Sequence, residues 1–75
     1  MNIRKIEKFW ATLERRERTK LAKEVAMLTG KSVNGVFNWF RGVSIPQSRT
    51  DRRILSEKTG IPENDMFEWI EVEDE

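Results

Sequence analysis

Apolar residues recur at three- and four-residue intervals along most of this chain, and Gly30, Gly42, Pro46, Gly60 and Pro62 cut that rhythm into helical lengths. Asn2 is placed to cap a first helix whose stripe is Ile3, Ile6, Trp10 and Leu13. The run Glu14-Arg15-Arg16-Glu17-Arg18 is polar all round and reads as a solvated last turn or a connection. Thr19 then caps a second helix carrying Leu21, Val25 and Leu28 at i, i+4 and i+7, and Thr29-Gly30 ends it. Ser32 opens a third helix from Val33 to Phe40 or Arg41, followed by a loop over residues 42–46. Ser48, with Asp51 three positions on, has capping-box spacing and starts a fourth helix that holds Ile54 and Leu55 and stops at Thr59-Gly60. Pro62 suits the first position of a short fifth helix through Met66, Phe67 and Ile70. No alternating strand pattern of useful length is visible. The pattern predicts an all-α, compact, four- to five-helix domain over residues 1–70, with an acidic tail, residues 71–75, that frays.

Composition narrows this further. At 75 residues there is room for one domain with a thin core, and 36% charged against 37% hydrophobic residues fits a globular chain. Cysteine and histidine are both absent, which removes thiol nucleophiles, disulfides, imidazole bases and the usual zinc ligands. Neither a membrane span nor a signal peptide is evident, so a cytoplasmic chain is expected. The net charge of +1 conceals a strong asymmetry. Residues 1–53 hold 13 Lys and Arg against five acids, whereas residues 54–75 hold Lys58 against eight. A basic body of net +8 joined to an end of net −7 suits a surface that faces a polyanion while the end is held away from it.

The stretch Leu21 to Gly42 carries the most chemistry. Ala22 and Ala26 are four apart, so they share a face beside the Leu21/Val25/Leu28 stripe and let another helix cross closely. Gly30 supplies the left-handed backbone of a sharp turn. In the next helix Val36, Trp39 and Phe40 fall on one face at 3.6-residue periodicity. Asn34, Asn38 and Arg41 fall on the opposite one, with Phe37 on its flank. An amide-plus-guanidinium face is what a reader of the major groove needs, because Asn pairs with adenine N6/N7 and Arg with guanine or phosphate.

These residues resemble the lambda-repressor-like (XRE/Cro-type) helix-turn-helix family. The resemblance covers residues 18–68 and is strongest at Val25-Ala26, Thr29-Gly30-Lys31-Ser32, Val36 and Trp39 with Arg41-Gly42. Gly60-Ile61-Pro62 and Asp65-Met66-Phe67 resemble the junction between the family's fourth and fifth helices. It implies a small transcriptional regulator of repressor type, with its helix-turn-helix core at residues 19–41, that binds double-stranded DNA. Base-contacting positions would be Ser32, Val33, Asn34, Phe37 and Asn38, and backbone-contacting positions Lys31, Arg41, Gln47, Ser48 and Arg49. Such regulators usually act as homodimers, in some cases formed only on DNA, which here implies a nucleoid-associated protein. Two positions depart from the family pattern. Lys31 replaces the usual apolar residue after the turn glycine. Gly35 lies inside the recognition helix, where it permits a close approach to DNA or leaves the helix to firm up on binding.

Rival readings are few. The acidic end and Trp69 also suit a protein-interaction module, such as an antitoxin-like or phage accessory protein. Binding of RNA would need stacking aromatics, and only Phe37 is eligible. The serines have no histidine base, the acids have no metal-ligand spacing, and no phosphate loop or dinucleotide fingerprint occurs. Neither an enzyme nor a cofactor or metal site is expected.

Overall fold

The two ends of the described stretch are paired with each other. In the computed structural model, which describes residues 1–72, strand β1 (Asn2–Arg4) runs antiparallel to β2 (Trp69–Glu71), with Ile3 opposite Ile70. Five helices lie between them: α1 (Lys5–Ala11), α2 (Arg15–Thr29), α3 (Val33–Phe40), α4 (Arg49–Thr59) and α5 (Glu63–Met66). The molecule is therefore mostly helical, as the stripes predict, with a small two-stranded ribbon that they do not. Asn2, expected as a helix cap, is a strand residue; Arg4 stands at the start of α1 instead. Ile70, expected in the fifth helix, is in β2, and α5 stops at Met66. Glu71 is also a strand residue, and Val72 N–H donates to the Met1 carbonyl at 2.9 Å. Glu73, Asp74 and Glu75, the rest of the expected tail, lie outside the described residues.

Local chemistry explains the other differences. Helix α2 begins at Arg15 rather than after Thr19, because Glu14 and Glu17 form a reciprocal capping box. The charged run is thus the helix's first turn, and Thr19 turns its hydroxyl back to the Arg15 carbonyl at 3.1 Å. Arg18 reaches across to the end of α1 and donates to the carbonyls of Trp10 (3.0 Å) and Ala11 (3.4 Å). Ser48 flanks α4 with an extended backbone, but its side chain makes no capping bond. Pro62 stands one position before α5 rather than in it.

The core is drawn from every helix. Ile6 and Trp10 of α1, Ala22, Val25 and Ala26 of α2, and Val36, Trp39 and Phe40 of α3 are buried with Leu55, Ile61 and Met66. The Trp10 ring stacks on Phe40 with centroids 4.3 Å apart and meets Phe37 edge-on at 5.6 Å. Leu28, the third member of the expected α2 stripe, is exposed, and Leu21 is half-buried. Helix α2 packs against both α3 and α4, and Ala22 and Ala26 are buried in the core they share.

Candidate nucleic-acid interface

The turn between α2 and α3 is fixed by three devices. Gly30 adopts φ 71°, ψ 14°, and its N–H donates to the Ala26 carbonyl at 2.9 Å. The Thr29 hydroxyl donates to the Val25 carbonyl at 2.8 Å and accepts from Lys31 N–H at 3.4 Å. Ser32 caps α3, its Oγ accepting from Gly35 N–H at 3.1 Å. A Cβ at position 35 would stand 3.2 Å from that Oγ. That contact is tight, and a small shift of the Ser32 side chain would relieve it.

Beyond the turn, α3 is divided as its spacing predicts. Val36, Trp39 and Phe40 are buried, whereas Asn34, Asn38 and Arg41 are exposed along with Ser32. Asn34 and Asn38 stand one turn apart, about 6 Å along the axis. Two of the expected base-contacting residues are less available: Val33 and Phe37 are half-buried and packed against the core. Phe37 is held by the Trp10 ring, so only part of its own ring meets solvent.

The loop after α3 is anchored from the ribbon side. Val43 and Ser44 N–H both donate to the Asn38 carbonyl, at 3.0 and 3.3 Å. Gly42 adopts φ 73°, and a Cβ there would lie 2.7 Å from Glu7 Oε1 and 3.1 Å from Arg4 Cδ. Arg4 donates to the carbonyls of Gly42 (3.2 Å) and Phe67, and its guanidinium lies 4.4 Å from the centre of the exposed Trp69 ring. One half-buried arginine thus ties the end of α3 to α5 and to the ribbon. Nothing in the sequence marks Arg4, because a lone arginine carries no pattern.

Lys31, Gln47 and Ser48 are distant in sequence, yet they line one cleft of about 260 Å³ with Trp39, Ile45, Pro46 and Asp51. All three are exposed, as are Arg41 and Arg49. Asp51 is only 6% exposed, in the first turn of α4, where the helix dipole favours a carboxylate. The capping-box spacing predicts a capping role for Asp51, whereas the structure buries it beside Trp39. Arg52 steadies the same loop by donating from Nε to the Pro46 carbonyl at 2.9 Å. No group of metal-ligating side chains and no helix long and apolar enough to cross a membrane occurs among the described residues. No protein family, curated protein or solved structure matches the chain.

Proposed function

We propose that this protein binds double-stranded DNA sequence-specifically through α3 and acts as a small transcriptional regulator of repressor type. The observation that carries this reading is the division of α3. Val36, Trp39 and Phe40 are buried in one core with Ala22, Val25 and Ala26 of α2, and Phe40 stacks on Trp10, so Asn34, Asn38 and Arg41 are left facing outward. Asn side chains one turn apart can each present an amide to adenine N6/N7 in the major groove. Ser32, at the tip of α3, keeps its hydroxyl proton free while its oxygen caps the helix. Lys31, Arg41, Gln47, Ser48 and Arg49 take the phosphates on either side, which fixes register without reading sequence. Acting as a homodimer, the protein would set two such helices into half-sites about 34 Å apart.

Selection of bound sites from random duplexes, followed by anisotropy titrations on a selected and a scrambled duplex at several salt concentrations, tests this. Tighter binding to the selected duplex, with a salt-dependent affinity for both, is the expected result. Equal affinity for the two duplexes, or none for either, would overturn it.

A further inference from the structure

Helices α4 and α5 enclose a second cleft, of about 390 Å³, lined by Arg49, Thr50, Arg52, Arg53, Glu63 and Asn64. Arg49 and Arg53 are one turn apart and share a face of α4. Among the described residues none of these three arginines has a carboxylate within 4.0 Å, although Glu63 borders the same cleft. Among the described residues the ion pairs are Lys5–Asp65 and Lys58–Glu24, and both lie elsewhere. Residues 49–53 of α4 carry three guanidiniums and one carboxylate, Asp51, which lines the neighbouring cleft, so Glu63 is the one carboxylate that lines this one. Arg52 is already oriented, because its Nε is held by the Pro46 carbonyl while its terminal nitrogens have no hydrogen-bond partner among the described residues.

We propose that this cleft is an oxyanion site that takes a phosphate group. Guanidinium forks match phosphate oxygens two at a time, and the Thr50 hydroxyl and Asn64 amide add neutral donors at the cleft wall. Apart from Arg49, its residues belong to neither the base-contacting nor the backbone-contacting set. The phosphate can come from a DNA strand running past α4, outside the base pairs met by α3, or from a free phosphorylated molecule. Continuity with Gln47, Ser48 and Arg49 favours the strand, and that source alone rests on the function proposed above.

The test uses the full chain, Arg53→Gln, and Lys8→Gln, which removes the same charge from α1. Each is titrated with inorganic phosphate, followed by amide shifts, and with selected and scrambled duplexes across a salt series. For a DNA phosphate, Arg53→Gln makes the salt slope shallower by about one unit on both duplexes, and Lys8→Gln does not. For a free phosphate, Arg53→Gln weakens the inorganic phosphate titration by about tenfold and leaves duplex binding alone. Arg53→Gln behaving like Lys8→Gln in both titrations overturns the proposal. A chain that binds no duplex removes the function proposed above, while the phosphate titration still decides this one.

Discussion

The α2–turn–α3 unit and the terminal ribbon are built on opposite principles. In the first, neighbours in sequence are neighbours in space, and apolar burial does the holding: Ala22, Val25 and Ala26 share one core with Val36, Trp39 and Phe40, their side chains almost wholly buried. In the ribbon, partners lie far apart in sequence, as with Arg4 and Phe67, 63 residues apart. The clamp there is polar and half-solvated, and Trp69 remains 60% exposed beneath the Arg4 guanidinium. A close-packed unit resists added volume, whereas a polar clamp resists loss of its donor. The two should therefore break under different substitutions.

The largest effect is expected at Ala26→Leu. The added branches overpack the α2–α3 crossing and should cost up to about 3 kcal/mol in urea unfolding, with duplex affinity falling as α3 is displaced. Unchanged stability would show that the crossing has slack. Next comes Asn38→Ala, which leaves the fold intact because the side chain is exposed. It should cost about 2 kcal/mol on the selected duplex and relax the choice of base at one position. An equal loss on selected and scrambled duplexes would place Asn38 on the backbone instead.

Arg4→Met keeps the aliphatic stem but loses both carbonyl contacts and the cover on Trp69, at about 1.5 kcal/mol after discounting for its partial exposure. Trp69 fluorescence should change while base preference does not; altered base preference would mean that the ribbon sets the pose of α3. The smallest effect is a contrast between two glycines of nearly equal φ. Gly30→Ala meets nothing within 4 Å and should cost about 1 kcal/mol from backbone strain alone. Gly42→Ala should exceed it in thermal unfolding, because Glu7 and Arg4 must also give way. A reversed order would show that the Arg4 contact is loose.

The same contrast decides what could be read from sequence. Val36, Trp39 and Phe40 announce their face by spacing, Gly30 announces its turn, and Ser32 its cap, since each acts within a few residues of itself. The ribbon gives no such signal. A strand of three residues is too short to show a period, and Ile3 finds its partner only at Ile70. The start of α2 was hidden for another reason: the capping pair is Glu14 with Glu17, and glutamate is not among the residues favoured at a cap. At the interface the outward amides were legible. The gathering of Lys31 with Gln47 and Ser48, the burial of Asp51 and the arginine cleft depend on how α4 docks, which no local pattern records.

The meeting of Met1 with Val72, whose carbonyl lies 3.4 Å from the Met1 amino group, makes nearly the whole domain one loop. Bringing the ends of a loop that long together costs on the order of 4 kcal/mol of chain entropy. Three-residue strands cannot supply that by themselves, so the ribbon depends on the helices to carry the ends into reach. Joining the backbone from Val72 to Met1 through a short linker would remove most of that cost from the unfolded chain, and the ring would outlast the open form on heating.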